Sequence, residues 1–228
     1  WVRPDLRRRG IGTALLRAAE SITRGLGAER LTARTYSDLP GAMALLPVCG
    51  FIEMRRFHQM WTTLDDSSLN AHALPEGFVV RPFRLEDAQE VYEADVEAFS
   101  THWGSQPQPF ESWQRRRLLD FNAEFWVIIW DVSAGNIAAL CLCGSSSFSY
   151  AANDGWVSHL GVRPVYRGRG LGRAALVEGF RRLRRAGFDR AGLHVDSGNS
   201  TAIELYESVG MRITRERVHF GKVLHRPA

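Results

Sequence analysis

The chain contains one stretch twice. Displaced by 160 positions, Val2-Arg3-Pro4 falls on Val162-Arg163-Pro164, Arg7 on Arg167, Gly10 and Gly12 on Gly170 and Gly172, Ala42 on Ala202, Leu45 on Leu205 and Gly50 on Gly210. No gap is needed over about fifty positions, of which about 16 are identical. A repeat of this length constrains architecture before any single residue does, because two copies of one sequence build two copies of one unit. The copies are unequal: about eighty residues lead into the glycine turn of the second, and almost none into that of the first. The expected layout is a partial N-terminal repeat over 1–64, a linker over 65–77 and a complete C-terminal domain over 78–228. Asp65-Asp66-Ser67-Ser68, Pro75 and Gly77 supply the turn signals of the linker. Two readings account for the missing leading strands: a longer parent protein, or a residual half-domain packed on the second copy. The first is preferred, since an unpaired sheet edge is a liability.

Hydrophobic spacing assigns the elements. The first copy reads as a helix over Ile11–Leu26, a strand over Arg30–Thr35, a short helix over Ala42–Val48 and a strand over Ile52–Thr62. The second begins with a strand at Phe78–Phe83 and helices at Glu86–Phe99 and Phe110–Phe121. A hairpin follows, Phe125–Val132 and Ile137–Cys143, turning at Ser133–Asn136. Then come a strand at Trp156–Val162, a helix at Leu171–Gly187, a strand at Leu193–Asp196, a helix at Thr201–Val209 closed by Gly210, and a strand at Ile213–Phe220. The fold class is α/β (α+β), a mixed central sheet flanked by helices, present as one complete C-terminal copy and one N-terminally truncated copy.

Between the strand and the long helix lies Arg167-Gly168-Arg169-Gly170-Leu171-Gly172. A strand that ends in glycines and opens a helix makes an anion cradle: glycine admits left-handed backbone, and amides converge at the positive end of the helix. The dinucleotide fingerprint needs GxGxxG, and the P-loop needs GxxxxGK followed by Ser or Thr. Here the glycines alternate, the next residue is Arg173, and both patterns fail.

The stretch Val162-Arg-Pro-Val-Tyr-Arg167-Gly-Arg-Gly-Leu-Gly172 resembles motif A of the GNAT acyl-CoA-dependent N-acetyltransferases, (Gln/Arg)-x-x-Gly-x-(Gly/Ala). Asn199-Ser-Thr-Ala-Ile-Glu-Leu-Tyr206-Glu-Ser-Val-Gly210-Met is similar to their motif B, and the element order over Phe78–Phe220 is theirs. The tandem layout resembles that of the mycothiol synthases within the family. The resemblance implies acetyl-CoA as cofactor. The backbone of Leu160, Gly161 and Val162 would pair with its pantetheine arm like an added strand, and Arg167, Gly168, Arg169, Gly170, Leu171, Gly172 and Arg173 would hold the pyrophosphate. Asn199 would contact the coenzyme, and Tyr206 would protonate the departing thiolate. Acyl transfer also needs the attacking amine deprotonated. Many relatives carry a Glu or His base at the positions of Trp156 or Ser158, where this chain has neither. His159 is adjacent, but strand alternation turns it to the opposite face unless a bulge near Leu160 and Gly161 re-aims it; a water relay through Ser158 is the other route. In the first copy Leu46 stands in place of Tyr206 and Leu39 in place of Asn199, which leaves that half without the acid. His102, Trp103, Trp156 and Ser158 are the candidate acceptor-site residues, with Phe110 and Trp113 in the core or beside them.

Composition narrows the function classes. A net charge of +4 comes almost wholly from arginine, since Lys222 is the only lysine. Arginine grips phosphates in a bidentate manner, which suits a coenzyme as well as a nucleic acid. The run Arg181, Arg182, Arg184, Arg185 and the run Arg115–Arg117 lack interleaved aromatic residues and read as solvated faces rather than a nucleic-acid footprint. Cys141 and Cys143 share one strand face as small buried residues, with no metal expected. No apolar run reaches membrane length, and no leader is recognised, so a cytoplasmic enzyme is expected. The expected partner is a small-molecule primary amine, with no nucleic acid or membrane, and homodimerisation is left open. The alternatives are acetylation of protein or peptide N-termini and a non-catalytic acyl-CoA-binding module.

Overall fold

The computed structural model describes residues 2–65, 73–106, 108–118, 122–145 and 153–224. Most of the linker, and the end of the helix expected to reach Phe121, lie outside these residues. The described residues form six α-helices and eight β-strands, and the chain divides into two compact units. The first unit is drawn from Trp1–Gln59, His194–Ser200 and Ile213–Ala228, the second from Met60–Leu193 and Thr201–Arg212.

The repeat predicted from sequence carries through to the elements. Helix α1 (Ile11–Gly25), β1 (Arg30–Tyr36) and β2 (Ile52–Thr63) correspond, at the same displacement of 160, to α5 (Leu171–Arg185), β7 (Arg190–Asp196) and β8 (Arg212–Val223). In the first unit β8, from the second copy, lies between β1 and β2 of the first. Its antiparallel register with β1 runs from Arg30 opposite Val223 to Tyr36 opposite Arg217. Leu46 of α2 (Pro40–Val48) packs with Phe51, Val218 and Phe220, and Leu31 and Ala33 extend this core. Alternation along β1 sends Arg34 the other way, opposite His219. On that face the His219 ring lies 4.5 Å from Phe57, and the Arg217 guanidinium stands 5.9 Å from the same ring.

In the second unit, neighbouring strands run β7-β6-β5-β4-β3, with β3 at Phe78–Arg81, β4 at Trp126–Asp131, β5 at Asn136–Ser145 and β6 at Asp154–Val162. The β6–β7 pair is parallel and the others are antiparallel, so the sheet is mixed as expected. Pro82 ends β3 two residues before the sequence pattern did, since proline offers no ladder donor. The hairpin turn is held by Asp131, whose Oδ1 accepts from the Ser133 and Ala134 amides at 2.8 and 3.1 Å. Helix α3 (Ala88–Phe99) and α4 (Phe110–Leu118) cover one face through Val91, Ala94, Trp113, Trp126, Ile128 and Leu140. The other face takes α5, whose Leu176, Phe180 and Leu183 are fully buried. Gly179 permits this approach: a Cβ there would stand 3.0 Å from the Cys143 Sγ and 3.1 Å from the Cys141 Sγ. The two thiols are thus buried side by side, 3.5 Å apart.

Burial, with the charges of Arg217 and Arg34 adding to it, pushes His194 down to about 3 and His219 down to about 4. Both imidazoles fold neutral, whereas the unfolded chain takes up protons near pH 6.5. Stability conferred by neutral burial is therefore present above that pH and lost as pH falls below it. The thermal midpoint should drop between pH 6.5 and 5, before carboxylates titrate, and the double variant His194→Gln, His219→Gln should flatten that limb. A limb unchanged in the variant would refute the assignment.

Candidate active site

Strand β6 carries the site because its two edges are used unequally. On one edge it pairs with β5 along its length, from Gly155 opposite Ser145 to Val162 opposite Ala139. On the other, among the described residues, it pairs with β7 at Asp154, Gly155 and Trp156. From Val157 to Val162 that edge leaves backbone groups available to an extended ligand, as β-strand addition requires. Leu160 and Val162 are half-buried and Gly161 is buried, at the end of this segment.

The strand also changes face. Leu142 pairs with His159 and Cys143 with Val157, so Ser158 is an extra residue, a β-bulge. The faces confirm it. A Cβ on Gly155 would meet Leu183 of α5 at 2.8 Å, whereas one on Gly161 would meet Ala98 of α3 at 2.8 Å, although regular alternation would put both on one side. The bulge that re-aims His159 therefore exists, but at Ser158 and not at Leu160–Gly161. Ser158 itself is exposed, and its hydroxyl donates to the Leu142 carbonyl at 2.9 Å.

Beyond Val162 the chain makes a short 3-10 turn at Pro164–Tyr166 and enters the glycine stretch. Gly168 and Gly170 have φ of +77° and +78°, and at Gly168 nothing lies within 4 Å of where a side chain would begin, so an approaching anion meets backbone there. The first helical bond of α5 is donated by Ala174 to the Gly170 carbonyl at 3.1 Å. The amides of residues 171–173 ahead of it have no helical partner and sit at the positive end of the dipole. This arrangement fits a pyrophosphate. The arginine side chains divide the work: Arg167 braces the turn, its Nε donating to the Val162 carbonyl at 3.2 Å and its NH2 to the Ala98 carbonyl at 3.0 Å. Arg169 lies over the Tyr166 ring at 5.5 Å, and Arg173 donates to the Ser208 carbonyl at 3.1 Å.

That last bond ties α5 to the end of α6 (Ser200–Glu207), where Tyr206 sits. Gly172 lies against Val162 and Leu205, since a Cβ would stand 3.4 and 3.5 Å from their methyl groups. Gly210, at φ +87°, closes the helix, and the Tyr206 carbonyl accepts from Val209 and Met211 at 3.2 and 3.0 Å. Tyr206 is buried, and burial, with the nearby Cys141, raises its phenol above the usual tyrosine range. The hydroxyl is held protonated at neutral pH, as a proton donor must be. Asn199 is half-buried in the first unit, its amide donating to the Asp196 carbonyl at 2.9 Å.

On the α3 side of β6 the structure assembles a group that the sequence did not announce. His159 Nδ1 lies 2.6 Å from Asp95 Oδ1, and Trp113 Nε1 donates to Asp95 Oδ2 at 2.8 Å. Arg117 meets His159 Nε2 on the far side of the ring. Burial of Asp95 would raise its carboxyl, but the bonds from His159 and Trp113 and the charge of Arg117 hold it below the usual range. Asp95 was missed because it lies 64 positions from His159 and belongs to no motif. The available signal was a carboxylate set in the apolar stripe Val91, Ala94, Ala98 of a helix. Trp113 is buried in the core and Phe110 packs beside it, rings 6.2 Å apart. His102 and the 42% exposed Trp103 follow α3, with the His102 ring 4.7 Å from Phe99. Trp156 is buried edge-on to Trp61 at 5.6 Å.

The arginine run on α5 is paired with carboxylates, with Arg184 and Arg185 exposed. Arg181, Arg182 and Arg185 surround Glu178 at 3.7, 3.2 and 3.9 Å, and Arg182 also donates to the Trp126 carbonyl at 2.6 Å. The first copy keeps the turn but not the tyrosine. Arg7 Nε donates to the Val2 carbonyl at 3.2 Å, as Arg167 does to Val162. Arg8, in the place of Gly168, is held at φ +62°, a left-handed conformation costly for a residue with a side chain. Leu46 is buried where Tyr206 stands in the second copy.

Among the described residues no helix is long and apolar enough to cross a membrane, and no cluster of three or more His, Cys, Asp or Glu could hold a metal. The family model for the acetyltransferase (GNAT) family matches residues 1–51 and 88–211. Mycothiol acetyltransferase of Acidothermus cellulolyticus is 32% identical over 223 residues, covering 92% of this chain and 66% of that protein. Mycothiol acetyltransferase of Thermobispora bispora is 34% identical over 214 residues, covering 92% and 70%. The chain thus spans about two thirds of the length of these relatives. Among solved structures, a GCN5-related N-acetyltransferase from Sphaerobacter thermophilus aligns with a TM-score of 0.82 at 29% identity, over 100% of this chain and 72% of its own. A tandem GNAT protein from the clavulanic acid biosynthesis pathway shares the fold, with a TM-score of 0.79 at 18% identity over 100% and 74%. With both glycine turns inside the matched segments, the chain belongs to the GNAT acetyltransferase family, N-acetyltransferases whose acetyl donor is acetyl-CoA.

Proposed function

We propose that the second copy transfers the acetyl group to the primary amine of a small molecule, by direct attack while donor and acceptor are bound together. The observation that carries this reading is the open edge of β6 from Val157 to Val162, which runs straight into the glycine turn at the start of α5. Acetyl-CoA supplies an acyl group activated as a thioester. Backbone groups of Leu160, Gly161 and Val162 align its extended arm, and the amides from Gly168 to Arg173 hold its pyrophosphate. Arg169 and Arg173, at the two ends of the turn, add positive charge. Tyr206, next to Leu205 against Gly172, gives its proton to the departing sulfur. Asn199 contributes a coenzyme contact from the turn ahead of α6. The acceptor is received on the α3 side of β6, among His102, Trp103, Trp156 and Ser158. The names of the relatives make a mycothiol-related amine the first acceptor to test. The domain reading that goes with this is a catalytic copy over 78–228 and a partial copy over 1–64 whose glycine turn is not paired with an acid.

Acetyl-CoA at a hundred times its Kd should stabilise the protein by about 2.7 kcal/mol, seen as a raised thermal midpoint; no rise at millimolar coenzyme would contradict the cradle. Tyr206→Phe should lower kcat by about 10²- to 10⁴-fold with the acetyl-CoA Kd unchanged, measured by thiol release and by calorimetry. Unaltered turnover would remove Tyr206 from the acid role.

A further inference from the structure

Resting on that reading, we propose that His159, oriented by Asp95 and Trp113, is the general base that takes the proton from the acceptor ammonium. Three observations carry it. The bulge at Ser158 puts His159 on the α3 side of β6, the side given above to the acceptor, and at the segment where the pairing with β7 has ended. The ring is fixed by hydrogen bonds and packing: Nδ1 faces Asp95 at 2.6 Å, Asp95 is held from behind by Trp113 at 2.8 Å, and Phe99 lies 4.9 Å from the imidazole. The tautomer follows from the neighbours. A carboxylate accepts and a guanidinium donates, so Nδ1 carries the hydrogen toward Asp95 and Nε2 presents its lone pair to Arg117. A base needs that lone pair, and a cationic N–H donor is the chemistry of the substrate it would meet.

Arg117 marks the position the ammonium takes. Its Nε is buried with no hydrogen-bond partner among the described residues, so the guanidinium is not pinned at that atom. Nε2 takes one proton from the ammonium, and the freed nitrogen forms the C–N bond as the C–S bond breaks. Tyr206 gives its hydroxyl proton to the thiolate. The second proton lost by the nitrogen replaces the one Tyr206 gave, and the proton on His159 leaves to solvent. Asp95 and Trp113 touch neither substrate and are positioning residues. The charged and titratable groups around His159 are Asp95 on α3, Arg117 with Arg116 beside it on α4, and His102 across the Phe99 ring; Cys141 and Cys143 face α5 instead.

The test is the pH dependence of kcat/KM for His159→Ala and Asp95→Asn beside the wild type, with acetyl-CoA binding as the control for folding. His159→Ala should lose about 10²- to 10⁴-fold, its rate should climb tenfold per pH unit as the free amine accumulates, and added imidazole should restore part of it. Asp95→Asn, which replaces the carboxylate facing Nδ1 by an amide, should displace the acid limb. An active wild type whose His159→Ala variant stays within threefold and keeps the acid limb overturns the base alone. So does loss of activity without imidazole rescue together with an unshifted limb in Asp95→Asn. A wild type that binds acetyl-CoA but releases thiol with no amine overturns the transfer reading itself, and the base with it.

Discussion

The candidate site depends on a strand that stops pairing. Backbone donors and acceptors are obligatory hydrogen-bonding groups, and a sheet strand normally spends them on two neighbours. Among the described residues, strand β6 does so as far as Trp156 and beyond it is paired with β5. The groups left over have to be satisfied by water or by a ligand, and they point along the line that ends at the α5 N-terminus. An extended arm with a phosphate at one end meets both demands at once. The bulge at Ser158 belongs to the same departure from regularity, since an extra residue disrupts the ladder locally and strengthens the twist.

Charge in the second unit is arranged to serve this edge without crowding it. Arginines that could have formed a broad basic face are bound to carboxylates and carbonyls: Arg163 to Glu97 at 2.6 Å, Arg190 to Asp154 at 2.5 Å, and Arg182 to Glu178 and Trp126. Arg167, in the middle of the motif, spends its side chain on the backbone of Val162 and Ala98. The same Arg-to-carbonyl brace recurs in the first copy, where Arg8 strains a left-handed position and Leu46 stands in place of the tyrosine.

Much of this was legible in the residues. The displacement of 160 brings Arg30–Tyr36 onto Arg190–Asp196 and Ile52–Thr63 onto Arg212–Val223 as strands, so identity at about a third of positions was enough to align elements. The glycine turn was legible because positive φ and backbone approach are demands that few residues other than glycine meet. What the sequence did not show is long-range or irregular. The insertion of β8 between β1 and β2 follows from strand order, which hydrophobic alternation does not encode. Alternation also assigned His159 to the wrong side, because a single extra residue at Ser158 reverses every face beyond it. Asp95 joins His159 only through the packing of α3 on β6, a contact between residues 64 positions apart.

Amide hydrogen exchange with and without acetyl-CoA shows whether the open edge of β6 and the glycine turn receive one ligand together. Bound acetyl-CoA should slow exchange in residues 157–162 and 168–173 as a set, while β4 and β5 change little. Protection confined to other segments, or none in these two, would contradict it.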